Sequence, residues 1–376
     1  MITKNPFPVV GYHGSSMFCD REKETDKLSG NLRSGLNTTL ISLRRMGKTA
    51  LIYHVFNEIL REKQSICLYV DLYPTRSIKD LTRQLATASI NVLPQKKWAG
   101  KRFLTFLKGL RPVITYDPLT GAPGVRFEYS AQSDYEITIA ALLNFLNDQG
   151  TDVYLAFDEF QVIASYEEGN AEAMLRTMIQ PLNNVHFLFS GSNRHMMTEI
   201  FNSSKRPFFA STRIISLPPI PADSYSRFIA EKFIENKRKI SPEAIDFVLE
   251  WTRRHTYYTQ SVCNTLFSSG GREIDIHSVK EICGEILDEQ EKTFLQYRNL
   301  LTGNQWQLLM AVAKEGNVYK PHSGEFVSKH SLGTPASITR AIDALLTKEM
   351  IFEDSDSGGT YYSVYDLFLS RWLERQ

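Results

Sequence analysis

Residues 40–51 read LISLRRMGKTAL, and the reading of this stretch decides the fold. Gly47-Lys48-Thr49 is the second half of a phosphate-binding loop of the form G-x-x-x-x-G-K-[ST]. A β-like run, Thr38-Thr39-Leu40-Ile41, precedes it, and a helical pattern over residues 50–60 follows. That order has a physical basis. A strand delivers the chain to a tight turn, the turn's backbone N–H groups converge on phosphate oxygens, and the helix N-terminus adds a favourable field. Ser42, Arg44, Arg45, Met46, Gly47, Lys48, Thr49 and Ala50 are therefore candidate nucleotide-binding residues. Lys48 would neutralise the β/γ-phosphates, and the Thr49 hydroxyl would complete the shell of a Mg²⁺ ion. Ser42 stands where the pattern has its first glycine, and serine lacks glycine's freedom at positive φ. A bare GKT also suits an ordinary strand-to-helix turn with an exposed lysine, so the rest of the chain has to decide.

Working outward, residues 66–72 (ICLYVDL) form a nearly continuous apolar run, as expected of a parallel strand buried on both faces. Residues 153–159 (VYLAFDE) are a second buried strand, ending in two carboxylates. Ligands of open parallel sheets sit at that C-terminal edge. Asp158 is placed to hold Mg²⁺ through water, and Glu159 to orient and deprotonate a water attacking the γ-phosphate. A further strand run, Val185-His186-Phe187-Leu188-Phe189, ends in Ser190-Gly191-Ser192-Asn193. Ser190 or Ser192 would lie between the two earlier strand ends; a helix N-cap at Ser192 or Asn193 is the rival reading. Arg206 and Arg213 flank the last strand, residues 213–217, and are eligible to reach a neighbouring subunit's nucleotide.

Composition bounds the setting. The 376 residues are too many for one compact domain, and 42% hydrophobic with 23% charged residues is ordinary for a soluble globular protein. A formal net charge of +1 gives no global attraction to nucleic acid or acidic membrane. Cys19, Cys67, Cys263 and Cys283 lack metal-ligand spacing and read as reduced core thiols. With no signal-peptide run and no membrane-length apolar stretch, a cytoplasmic protein is expected.

Several segments carry weaker signals. NPFPVV, residues 5–10, is a lead-in that would pack beside an adenine ring or cover a sheet edge. Asp20 is a candidate cap for a helix through Glu24 and Leu28. Residues 96–112 interleave Lys97, Lys101, Arg102 and Lys108 with Trp98, Phe103, Phe106 and Leu107. That pattern suits a helix with a solvated basic face, or one facing nucleic acid or a membrane surface. Turn signals at Asp117-Pro118, Thr120-Gly121 and Pro123-Gly124 predict a β-hairpin over residues 113–129.

After Pro218-Pro219-Ile220-Pro221 the period becomes helical to about residue 300, with His255 at a helix start, either to contact the nucleotide from a lid or as a capping or packing histidine. Residues 302–376 have the layout of a winged helix: helices over 305–314, 324–329 and 336–350, a strand at 351–352, a turn over 354–359 and a strand over 360–365. In a DNA groove the third helix would present Ser337, Thr339, Arg340 and Asp343. From Leu301 onward, seven Lys/Arg against nine Asp/Glu give about −2, a poor footprint for phosphate contact.

The run NPFP…FCDREKE, then ISLRRMGKTALI, LAFDEFQ, FLFSGS, RPFF and a terminal VYDLFLSRWL resembles the archaeal-type ATPases of the AAA+/STAND branch of P-loop NTPases. The resemblance spans nearly the whole chain. It implies Gly47, Lys48 and Thr49 as the phosphate loop and Asp158 with Glu159 as the Mg²⁺ and hydrolysis pair. Phe18, Arg21 and Glu24 match the family's F-x-x-R-x-x-E pattern, and Arg254-His255-Thr256 stands where its Gly-His-Pro usually lies. It further implies a five-stranded parallel sheet of order 5-1-4-3-2, then a helical lid and a winged helix.

The expected organisation is an ATPase domain over residues 1–218, a helical lid over 219–300 and a winged helix over 301–376. The expected function is an ATP-binding, slowly hydrolysing, Mg²⁺-dependent conformational switch with an unidentified protein partner, and a homo-oligomer is compatible with it. A DNA-binding regulator with a secondary nucleotide site, or a non-hydrolysing interaction module, are the alternatives.

Overall fold

Five short apolar runs form one parallel sheet: β1 (Thr38–Ile41), β2 (Ile66–Asp71), β3 (Val153–Asp158), β4 (Val185–Gly191) and β5 (Arg213–Ser216). This computed structural model describes residues 5–62, 64–93, 100–110, 113–116, 123–129 and 131–376. The strands run β2-β3-β4-β1-β5 across the sheet, the expected order read from its other edge. Asp71 lies opposite Asp158, and Ile41 opposite Gly191, so four strand ends finish on one edge, beside the loop that follows β1.

Strand periodicity divides the core in two. Leu155 and Phe157 face one side of the sheet, where helices Ile78–Val92, Gln132–Asn147, Ala171–Ile179 and Arg194–Asn202 pack. Tyr154 and Ala156 face the other, packed against Leu28, Leu32, Leu51 and Val55 of helices Glu22–Arg33 and Lys48–Glu62. Phe157 and Phe160, both fully buried, bracket Asp158 and Glu159. Phe160 meets Phe189 at 4.6 Å, Phe208 at 5.2 Å and Phe201 at 5.7 Å between ring centroids, so the turn carrying the carboxylates is anchored by aromatic packing.

Between β2 and β3 lie the helix Gly100–Gly109 and an antiparallel hairpin, Val113–Tyr116 with Pro123–Arg126. The hairpin is as expected, although its turn signals at Asp117-Pro118 and Thr120-Gly121 fall outside the described residues, as do Lys97 and Trp98. The helix turns Phe103 and Leu107 into the core and stacks Phe106 on Phe145 at 4.6 Å. Lys101, Arg102 and Lys108 stay exposed. Phe103, Phe106 and Leu107 are thus used in internal packing.

The chain parts at Pro219, and residues 10–219 and 1–9 with 220–376 are separate compact units. The second unit contains helices Ala222–Glu235, Pro242–Trp251, Thr256–Ser268 and Ile276–Asn299, followed by Gly303–Glu315, Gly324–Lys329, Pro335–Thr347, a β-hairpin and Leu367–Leu373. Thr302 and Gln305 close a capping box on the first helix of the C-terminal section, and Thr334 caps the third. Arg371 donates to the carbonyls of Trp251 and Glu250, satisfying helix-end acceptors. Tyr258 packs edge-on to Phe368, so the helical and winged segments share a core.

Phe7 of the lead-in is buried in the second unit against Phe228, Phe233 and Phe267, with Asn264 donating to its carbonyl. Two local expectations are corrected. Asp20 does not cap its helix; it and Arg21 have φ of 57° and 80°, and Arg21 instead bonds Glu24 in the first turn. The first wing strand is longer, Ile351–Asp356, and pairs with Gly359–Val364, because Gly358 N–H bonds the Asp356 carboxylate and Gly359 takes a φ of 109° to close a tight turn.

Candidate nucleotide-binding site

The loop after β1 takes positive φ at Arg45 (60°) and Gly47 (94°), not at Ser42. Serine is therefore tolerated at the pattern's first position because this loop asks no left-handed geometry of it. Ser42 is fully buried, its N–H directed at Gly191 O and its hydroxyl bonded to Leu43 O. Met46 is buried among Leu28, Leu32 and Leu51, so its side chain anchors the loop in the core. Helix Lys48–Glu62 then starts within the motif, with Lys48, Thr49 and Ala50 in its first turn.

Lys48 is 5% exposed, and its Nζ donates to Leu43 O at 3.2 Å and Ser42 O at 3.4 Å. Burial pulls its pKa below the ordinary lysine value, while Glu159 and Asp158 oppose that shift. Their opposition ties the lysine electrostatically to both carboxylates.

The hydroxyl of Thr49 donates to Asp158 Oδ2 at 2.9 Å, across more than a hundred residues of sequence. Asp158 Oδ2 also accepts from Tyr69 Oη at 2.6 Å. Oδ1 accepts from Ser190 Oγ and from Glu159 N. Glu159 has a left-handed backbone, φ 53°, that turns it out of the strand. Its Oε2 accepts from Ser192 Oγ at 2.6 Å, Ser192 N at 3.3 Å and Gln161 Nε2 at 2.5 Å. Arg44 Nε reaches Ser192 Oγ at 3.3 Å, linking the loop to the Glu159 cluster, and lies 6.0 Å from the ring centre of Tyr73.

Sequence reasoning placed two serines here without choosing between them, and the fold gives each a different carboxylate. The N-cap of helix Arg194–Asn202 is Asn193, which accepts from Met196 N, so Ser192 is free for Glu159. Gly191 is required by crowding: a Cβ there would strike Gln161 and Met197.

The other candidates have surroundings of their own. Arg206 is paired to Glu172 and to Glu199 at 3.6 Å within its own chain. Arg213 is exposed on β5, at the sheet edge. His255 belongs to the second unit, at the N-cap of helix Thr256–Ser268, with its ring 4.7 Å from that of Tyr258. On helix Pro335–Thr347, Thr339, Arg340 and Asp343 are exposed, and Arg340 bonds back to Ala336 O.

Residues not singled out from sequence are Tyr69, Gln161 and Asp71. Tyr69 and Asp71 sit in an apolar run that reads as core, and only the pairing of β2 with β3 brings them to Asp158. Burial raises the pKa of Asp71, with Asp158 and Glu159 adding to the shift.

The donor set suits a magnesium–phosphate group. It offers a buried ammonium, a helix N-terminus, one hydroxyl and one carboxylate in mutual contact. Among the described residues no three His, Cys, Asp or Glu side chains group to hold a metal alone. A cation here would draw its remaining ligands from water and phosphate, as Mg²⁺ does.

Comparison with known proteins agrees with this architecture. A Walker-type ATPase of Pyrococcus abyssi superposes with a TM-score of 0.66 at 17% identity, over 98% of this chain and 99% of that one. This chain has the fold of a Walker-type ATPase. The ORC2 protein of Aeropyrum pernix, in ADPNP–ADP complexes, gives 0.59 at 11% identity over 99% and 96% of the two chains. The ORC1 protein of the same organism, in complex with DNA, gives 0.52 at 14% over 98% and 94%. Residues 292–375 match the family described as "Probable winged helix domain". No curated protein sequence matches the chain. The five-stranded parallel sheet of the expected order and the C-terminal winged helix are therefore as expected. Among the described residues, no helix is long and apolar enough to cross a membrane.

Proposed function

We propose that this protein binds ATP with Mg²⁺ on the edge where β1, β3 and β4 end, hydrolyses it slowly, and changes the arrangement of its remaining segments with the nucleotide held. The observation that carries the reading is the 2.9 Å contact of Thr49 with Asp158, which joins the phosphate loop to the carboxylate pair. The likeness in fold to a Walker-type ATPase and to an ORC2 protein in ADPNP–ADP complexes supports it.

When bound, Mg²⁺ neutralises developing charge on the transferred phosphoryl group. The chain's own residues do the rest. Lys48 Nζ, which donates to two loop carbonyls, would turn to phosphate oxygens. Thr49 and Asp158 would hold the cation, and Ser190 fixes Asp158 in rotation. Glu159, held through Oε2 by Ser192 and Gln161, keeps Oε1 to orient and deprotonate a water. Arg44, bonded to Ser192, would report the γ-phosphate to Glu159. A switch requires that ATP and ADP favour different arrangements; equal affinity would shift nothing.

Duplex DNA as the partner is a second reading, favoured by the winged-helix match and by the likeness to an ORC1 protein in complex with DNA. The net negative charge after Leu301 and the mixed charge of Arg340 and Asp343 weigh against it. One experiment addresses both. Glu159→Gln should retain ATP binding and lose at least a hundredfold in turnover, measured with and without duplex DNA. Undiminished turnover in the variant would remove Glu159 from the reaction, and stimulation by DNA would favour the second reading.

A further inference from the structure

Asp158 is saturated by its own chain. An ionised carboxylate has about four lone-pair positions, and here Ser190 Oγ and Glu159 N fill Oδ1 while Thr49 Oγ1 and Tyr69 Oη fill Oδ2. The carboxylate is 4% exposed, so bulk water does not add to that set. Three of the four donors are compatible with a cation beside Asp158. Ser190 and Glu159 N act on the other oxygen. Thr49 donates its proton to Asp158 and keeps lone pairs for the cation.

Tyr69 differs. Its proton takes the position on Oδ2 that a proton of a cation-bound water would need. A phenol, with an ordinary pKa of about 10, is a donor at neutral pH. The ring packs against Tyr53 at 4.9 Å between centroids and against the core under helix Lys48–Glu62, which holds the hydroxyl in place.

We propose that the Tyr69 hydroxyl competes with the hydration shell of a divalent cation for Asp158 Oδ2, and so sets how much Mg²⁺ the site demands. Tyr69 is thus a positioning residue acting through Asp158. The proposal rests on the nucleotide reading above and adds a regulatory consequence: nucleotide loading follows free Mg²⁺ instead of being saturated by it.

Tyr69→Phe removes the hydroxyl and keeps the ring on Tyr53. Binding of a fluorescent ATP analogue, not turnover, is followed as Mg²⁺ is titrated at fixed nucleotide, for wild type and variant. The expected result is an Mg²⁺ half-saturation about fivefold lower in the variant, equivalent to about 1 kcal/mol, with analogue affinity in EDTA unchanged. An unchanged or higher half-saturation in a variant that binds the analogue normally in EDTA would overturn the competition and leave Tyr69 a support of the strand. If wild type binds no analogue at any Mg²⁺ concentration, the nucleotide site itself falls and the role of Tyr69 with it. The two failures are told apart by the wild-type titration alone.

Discussion

Lys48 sits under opposing influences: burial draws its pKa down, and the carboxylates of Glu159 and Asp158 push it back up. A lysine shifted downward loses its proton at lower pH than a free one, whose pKa is about 10.4. Only the ammonium attracts phosphate, so ATP affinity should fall as pH rises, beginning on the acid side of the ordinary lysine range. Lys48→Arg, which keeps its charge throughout, should flatten that profile if it still binds. Affinity that holds constant until free lysine titrates would mean that Lys48 is not desolvated at the ligand. At the same scale, Ser42 shows why a departure from a motif is judged by backbone angle: the loop's positive φ values fall on Arg45 and Gly47.

The strand-to-loop-to-helix order around Lys48 was legible because three neighbouring signals agree: a β-branched run, a GKT turn and a helical period. The carboxylate strand was legible only in combination: an apolar run ending in two acids is common alone, and it gains specificity from following a GKT loop with a strand and helices between. Tyr69 was not legible, since a tyrosine within ICLYVDL carries the same local signal as any core aromatic, and its hydroxyl gains meaning only from the β2–β3 register. The same holds for Phe7, whose destination against Phe233, 5.2 Å between ring centroids, is set by tertiary packing. Packing also holds the turn that presents Glu159. Phe160 is fully buried against Phe189, Phe201 and Phe208. Phe160→Ala should cost about 3–5 kcal/mol in urea denaturation, and Phe160→Leu, which fills most of the space, should cost less and lower turnover more than ATP affinity. A melt unchanged in both would place the anchor of this turn elsewhere.

For the whole molecule, a net charge of +1 and a C-terminal section of about −2 direct attention to the nucleotide rather than to a polyanion. The account rests on Lys48, Thr49, Asp158 and Glu159 serving one ligand. Removing Lys48 also removes the desolvation cost of a buried ammonium that donates to two loop carbonyls, so Lys48→Ala should not lower the melting temperature. The most direct measurement is the dissociation constant for Mg·ATP, by calorimetry, in wild type and in Lys48→Ala of equal melting temperature. Losing a buried charge's contact with phosphate costs about 2 kcal/mol or more, roughly thirtyfold or more in affinity. The account predicts a weakening of at least that size; equal affinity in the two proteins would contradict it.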